Sequence, residues 1–378
     1  MLSLRMTAPL GPAEIDQLAR FFRYFAEREC SNDPLYVALC HVSAEEPALL
    51  SLLSAAEVRQ RRPNLLLAAV HATILRLGAS ERLGDYFASI GGSRPVDDAL
   101  HRIFLDFAQS HRDALLALIG TRTTQTNEIG RCAAFWPVLE LAASLAGSAR
   151  VAILDFGSSA GLNLGVDFYG YDYGATATAK AARGNAPTIR SSFIGGGRPS
   201  EATTPPTVVE RLGVDVAPLD LANEDDRTWL KACVWPSDTE RRERLSAAIP
   251  LALEQRWRVA RHEDCTAATI AWARNIDETL HPVILNSWVL TYLSEEARKR
   301  HVTALHDLVA ERGASWVSAE GSALRISDDL APPLDDSASP DQPGSSHWIL
   351  SRRVGGRSVS TLVARSHPHG TWIDWLGV

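Results

Sequence analysis

Val151 to Gly165 read VAILDFGSSAGLNLG. Four apolar residues run into Asp155, glycines follow at 157 and 161, and a second apolar run begins at Leu162. The pattern predicts a buried strand, a tight turn and the first turns of a helix. Gly157 can take a backbone conformation that a side chain forbids, and Gly161 lets the helix sit close against the strand. A ligand could approach such a turn closely, with the amides of the helix start directed at its anionic part.

Two kinds of chemistry use a turn of this type. The spacing Asp155-x-Gly157-x-x-x-Gly161 resembles the first motif of class I S-adenosylmethionine (SAM) dependent methyltransferases. Residues 157–161, GSSAG, also satisfy the G-x-S-x-G nucleophile elbow, with Ser159 as the nucleophile of a serine hydrolase. The order of elements separates them. Upstream, residues 13–150 read as helix: Ile15, Leu18, Phe22 and Phe25 recur at helical spacing, and Pro63 opens the apolar run PNLLLAAVHATILRLG. His71, inside that run, reads as a hydrogen-bonded core histidine. Thr126 or Asn127 caps a further helix that Pro137 kinks or restarts. An elbow follows the fifth strand of its sheet, whereas here the sheet begins at Val151, which favours the methyltransferase order.

Downstream, residues 169–206 are irregular, with a strand expected around Thr188 to Ile194. RLGVDVAPLDL and WRVARHEDC each read as a strand ending in acids. HPVILNSWVLTYLS is a second strongly buried strand, followed by a helix and three further strands. Between the first two of those lies an acidic, Pro- and Ser-rich connection, residues 327–346. The expected fold is therefore α/β, a Rossmann-like methyltransferase sheet (residues 149–378) preceded by an all-helical N-terminal domain (residues 1–148).

Composition narrows the partners. The 378 residues are 46% hydrophobic and 22% charged, as for a chain with a substantial core, and the net charge of −7 argues against a nucleic-acid partner. Five scattered cysteines without a C-x-x-C pair fit reduced thiols and give no metal framework. The apolar run Leu65 to Leu75 is too short to span a bilayer, and no signal peptide is evident, so a cytoplasmic location is expected.

The stretches QTNEIGR (125–131), GSSAGLNL (157–164), YDYG (171–174), RLGVDVAPLD (211–220), VWPSDTERRERL (234–245), NSWVLTYL (286–293) and HPHGTWIDW (367–375) together resemble a bacterial domain-of-unknown-function family with a core similar to class I SAM-dependent methyltransferases. The resemblance implies a fold and a ligand class, not a substrate; the function expected is SAM-dependent methyl transfer to an unknown small-molecule acceptor. Asn286 stands where that pattern leads one to expect a histidine.

Read as a SAM site, the amides around Ser158, Ser159, Ala160 and Gly161 suit the cofactor's carboxylate, with Gly157 and Asn163 beside them. Asp155 can balance the ammonium. Asp215, or else Asp220, suits the ribose hydroxyls, and Asp264 lies near the adenine amine. Asn127 and Arg131, four apart and so on one helical face, are expected to close the site from the helical domain, with Glu128 pairing to Arg131. Methyl transfer needs a base only for a protonated acceptor; Glu128, His262 and Tyr292 are the candidates. His367-x-His369 reads as a turn around Pro368, and no metal is expected. The alternatives are a serine hydrolase using Ser159 and a non-catalytic SAM- or nucleotide-binding protein.

Overall fold

The computed structural model describes residues 9–177, 179–200, 205–327, 330 and 344–378. Most of the acidic connection therefore lies outside the described residues. In chain order the helices are α1 (Pro12–Arg28), α2 (Pro34–Glu45), α3 (Pro47–Leu50), α4 (Pro63–Leu77), α5 (Ala99–Ser110), α6 (Arg112–Thr121), α7 (Cys132–Leu145), α8 (Glu224–Ala232), α9 (Thr239–Gln255), α10 (Cys265–Asn275) and α11 (Glu295–Arg312). No described helix is long and apolar enough to cross a membrane.

The chain divides into two compact units: residues 1–126 with 222–243, and residues 127–221 with 244–378. These units do not coincide with a boundary at residue 148, because QTNEIGR from Asn127 onward and α7 pack with the sheet. The first unit is helical, and α4 runs through its centre with Leu65, Leu66, Val70 and Ile74 fully buried. His71 is held between Ser89 Oγ (2.7 Å) and the Ala232 carbonyl (3.0 Å). Burial, foremost, pushes its pKa down to about 4, so it sits in this core as a neutral ring.

The second unit is mixed α/β. Its strands are β1 (Arg150–Phe156), β2 (Gly170–Asp172), β3 (Thr188–Arg190), β4 (Ser192–Ile194), β5 (Thr207–Asp215), β6 (Val259–Arg261), β7 (His281–Ser287), β8 (Ser315–Gly321), β9 (Ser346–Val354), β10 (Arg357–Ser366) and β11 (Trp372–Trp375). Nine of them form one sheet in the order β6-β5-β1-β7-β8-β9-β10-β11-β4, and β2 pairs with β3 apart from it. The five strands β6-β5-β1-β7-β8 are mutually parallel; β9, β10 and β11 follow antiparallel, and β4 lies parallel to β11 at the edge. Successive parallel strands first step from β1 outward through β5 to β6, then cross back to β7 and β8. The order reverses between β1 and β7, and in open sheets ligands collect outside the carboxyl ends at such a reversal. β1, β7 and β8 are buried along almost their whole length, because helices cover both faces. Leu154, Phe156 and Ile284 from the sheet share a core with Leu305, Leu308 and Val309 of α11.

Two sequence expectations are corrected here. Pro137 does not restart its helix: α7 runs continuously from Cys132 to Leu145. Proline removes the amide that would bond the carbonyl four residues back. That carbonyl, on Ala133, instead accepts the buried Tyr173 hydroxyl at 2.7 Å, which gives YDYG a structural role. The helix expected after the glycine turn is a single 3-10 turn, Leu162–Gly165. Side chains take the carbonyls a longer helix needs: Tyr169 Oη donates to Leu162 O (2.6 Å), Arg211 to Leu164 O and Tyr171 Oη to Val166 O.

Tyr173→Phe should lower the unfolding free energy by about 1–2 kcal/mol, the cost of stranding a buried carbonyl. In a Pro137→Ala background the same change should cost no more than half as much, since the restored amide serves Ala133 O. Urea midpoints for the four proteins check this; additive losses would exclude the shared carbonyl as the cause.

Candidate functional site

β1 delivers Asp155 to the point where the sheet order reverses, and the backbone beyond it takes left-handed values at Gly157 (φ +73°), Ser159 (φ +55°) and Gly161 (φ +79°). The turn is welded to its neighbours by its own amides. Gly157 and Ser158 both donate to the Val214 carbonyl on β5 (2.9 and 3.2 Å), and Gly161 donates to Ser158 O (2.8 Å). Ser159 N–H donates to Asp215 Oδ2 (2.8 Å), while Asp215 Oδ1 accepts from Ala217 N–H (2.8 Å). Leu162 N–H donates to Asn127 Oδ1 (2.9 Å). Ala160 is buried within the same turn.

The glycines make room for protein. A Cβ on Gly157 would lie 2.3 Å from Val289 Cγ2, and one on Gly161 would lie 2.8 Å from Val259 Cγ2. A third close approach joins two of the sequence motifs. A Cβ on Gly130 would lie 2.1 Å from the His369 carbonyl, and one on Gly370 would lie 1.9 Å from the Gly130 carbonyl. QTNEIGR and HPHGTWIDW thus meet backbone to backbone.

Buried charge concentrates behind the turn. Asp155 is 3% exposed and accepts from Ser158 Oγ at 2.8 Å. Burial, foremost, pushes its pKa up to about 7, and the Asp215 charge adds to the rise; Ser158, Arg131 and Asn163 oppose it. Asn163 also lies 3.6 Å from Cys132 Sγ through its side-chain oxygen. Arg131, itself buried, donates through Nε to Pro368 O (2.9 Å) and through Nη1 to Ser287 Oγ (3.2 Å). Glu128 accepts from Gly130 N–H (2.7 Å) and faces Arg244 across 3.4 Å.

A second buried acid, Glu320 at the carboxyl end of β8, is missed by the sequence reading. Its Oε1 accepts from Asn286 Nδ2 (2.8 Å), Val289 N–H (3.0 Å) and Leu290 N–H (3.2 Å), while its buried Oε2 has no partner among the described residues. Burial raises its pKa against these donors and the charge of Arg131. Asn286 is fully buried and also joins Ser318 Oγ (3.0 Å) and Trp316 Nε1 (2.6 Å), so it works here as a structural bridge. An acid ending the buried strand SWVSAEG is the signal that could have found Glu320.

The structure therefore gathers Asn127, Glu128, Arg131, Asp155, Ser158, Ser159, Asn163 and Asp215 around the turn. Asp220, His262, Asp264 and Tyr292 stand on the surface. His262 follows β6 and its amide donates to Asp215 O (3.0 Å). Asp264 caps α10 through Ala267 N–H (3.0 Å), and Tyr292 is 46% exposed. Pro368 lies in a turn closed by Gly370 N–H on His367 O (2.9 Å).

The raised pKa of Asp155 sets the direction of a pH dependence. Between about pH 4, the unfolded value, and about pH 7, the folded chain holds a proton that the unfolded chain has released, so stability falls as pH rises. Asp155→Asn should flatten this slope, changing the wild-type-minus-variant stability by a few kcal/mol, at ~1.4 kcal/mol for each tenfold difference in proton affinity between the folded and unfolded chain. Denaturant midpoints from about pH 4 to 8 test it; parallel curves would exclude a proton held on Asp155.

Neither a curated protein nor a solved structure matches the chain. A family model does, from residue 19 to residue 375, and on that match the chain belongs to the family described as an uncharacterized protein conserved in bacteria (DUF2332).

Proposed function

We propose that the second unit is a Rossmann-like domain of the class I methyltransferase kind and that the chain transfers a methyl group from SAM to a small acceptor. One observation carries this reading. Counted along the chain, the five parallel strands stand in the order third-second-first-fourth-fifth, with the glycine turn after the first and acids after the second and third. In open sheets of that order, acids after the second and third strands, here Asp215 and Asp264, are expected beside the crevice that receives the nucleoside part of a dinucleotide or related cofactor.

The nucleoside end fits these residues. Asp215 ends β5 and is partly exposed, and each of its oxygens keeps acceptor capacity beyond the amides of Ser159 and Ala217. Asp220, five residues beyond the strand, is further from this position in the chain. Bound SAM supplies an electrophilic methyl on a sulfonium. An ammonium arriving beside Asp155 would draw that carboxyl back to its charged form.

The methionine end meets an obstacle: Val289 stands over Gly157, and the turn amides are taken up by Val214, Asp215 and Ser158. Entry there requires the segment after β7 to withdraw. Trp288, at the head of that segment, holds a non-glycine φ of +54°, a strained conformation that displacement would release. Alignment of the acceptor then does most of the chemistry. Tyr292, exposed on the same segment, and His262, exposed after β6, remain the candidates to meet an acceptor, while Glu128 is held by Gly130 and Arg244.

Ser159 supports a second reading, because its positive φ is that of a nucleophile elbow. Against hydrolysis, Ser159 is only 6% exposed and its strand is the first of the sheet.

Calorimetric titration should show binding of SAM and of its demethylated product. Val289→Ala should tighten both about threefold or more, and Asp215→Asn should weaken both about tenfold, the scale of a lost charged hydrogen bond. Ser159→Ala should leave affinity within a few-fold. Gly157→Val, which would meet Val289 and a left-handed backbone, should fail through misfolding before any ligand is met. Folded wild type and Val289→Ala that both ignore SAM would end the reading. Labelling by a fluorophosphonate that Ser159→Ala abolishes would hand the turn to hydrolysis.

A further inference from the structure

At the amino ends of the strands, opposite the glycine turn, the second unit contains a cavity of about 380 Å³. Its wall includes Arg312 and Gly313 at the end of α11, Arg352 and Arg353 at the end of β9, His281 and Ser315 at the starts of β7 and β8, and Glu278. β7 is seven residues long, so this cavity lies roughly 20 Å from the carboxyl ends, at about 3.3 Å per residue.

Among the described residues, the wall of this cavity carries more positive than negative charge. Three arginines face it and Glu278 is the one acid in its wall. Arg353 is partly accounted for, since its Nη1 donates to the Glu311 carbonyl at the end of α11 (3.3 Å). Arg312 also suits a helix carboxyl terminus through the dipole. That role leaves its Nη2 buried without a hydrogen-bond partner among the described residues, however. Arg352 has no acid or carbonyl on its guanidinium among the described residues. Glu311, the nearest acid along α11, is taken by Arg274 at 2.9 Å.

His281 adds a polar ring without adding charge. Its Nε2 meets Ser315 Oγ at 2.9 Å, and burial, then the charge of Arg312, pushes its pKa down to about 4. A buried guanidinium nitrogen with nothing to bond is costly. Arginine forks match the paired oxygens of phosphate. The volume lies within the range that small-molecule ligands occupy.

We propose that this cavity is a binding site for a small organic phosphate, its phosphate held by Arg312 and Arg352 and its hydroxyl-bearing remainder directed toward Glu278. The proposal is independent of what the carboxyl-end site binds, because it uses none of the same residues. A phosphate group alone satisfies the arginines, and the remaining volume and Glu278 select for an esterified one.

The test is calorimetric titration of the full chain at fixed ionic strength with glycerol 3-phosphate, ribose 5-phosphate, inorganic phosphate and succinate. At least one phosphate ester should bind at least tenfold more tightly than inorganic phosphate or succinate, and should raise the melting temperature. Arg352→Gln and, separately, Arg312→Gln should each weaken that binding tenfold or more, whereas Arg190→Gln, on an exposed strand elsewhere, should leave it unchanged. Arg352 lies at a strand end and Arg312 at a helix end, so the two variants do not share one route to misfolding. The proposal is overturned if no ester outbinds chloride-matched buffer. Equal affinity for succinate and the esters, equal affinity for inorganic phosphate, or both glutamine variants binding within twofold of wild type would overturn it as well.

Discussion

Arg131 is the constraint on which the second unit depends. Its guanidinium is buried, and a buried cation must find acceptors or destabilise the fold. It finds them on segments far apart in sequence, the Pro368 carbonyl and Ser287, and its field reaches both Asp155 and Glu320. The glycines at 130 and 370 let the two backbones approach closely enough for this to happen. The end of β7, the turn before β11, the start of α7 and the glycine turn of β1 are thereby fixed relative to one another.

This arrangement explains why the acids behind the turn differ from those beside it. Asp155 and Glu320 are buried so deeply that desolvation outweighs the single cation near them, and both are driven toward their neutral forms. Asp215 sits at the rim and has its oxygens on backbone amides. Two environments therefore exist around one turn: a buried interior that holds Asp155 and Glu320, and a partly exposed rim that holds Asp215. Buried acids with a raised proton affinity are common where a protein handles a charged ligand.

Much of the fold is legible in the sequence where burial is complete. β1 and β7 appear as continuous apolar runs because helices cover both faces, and the helical first unit shows its period plainly. The short strands are harder. β4 comes from the irregular region 169–206 and finds its partner β11 almost at the other end of the chain, a pairing no local pattern encodes. The helix expected after the glycine turn fails for a tertiary reason, since Tyr169, Tyr171 and Arg211 take its carbonyls from a distance. Within the candidate site, the turn and its acids announce themselves by spacing. Glu320 does not, because a lone acid at the end of an apolar strand looks like a strand terminus, and its burial depends on Asn286 and the segment after β7. Val289 over Gly157 is likewise invisible, being a contact between two turns.

The two outermost strands of the large sheet, β6 and β4, are each only three residues long. A sheet edge is a row of open amides and carbonyls on which another chain can polymerise. Nine strands that ended in long, flat borders would invite such growth during synthesis, when neighbouring copies are close. Here the outermost strands are short, and each covers only part of its neighbour: β6 pairs with Gly213–Asp215 of β5, and β11, which carries β4, pairs with Ala364–Ser366 of β10. The terminal strands thus give a foreign strand little to register against, and what remains open on the sheet's borders is confined to residues 207–212 of β5 and 357–363 of β10, which run past them.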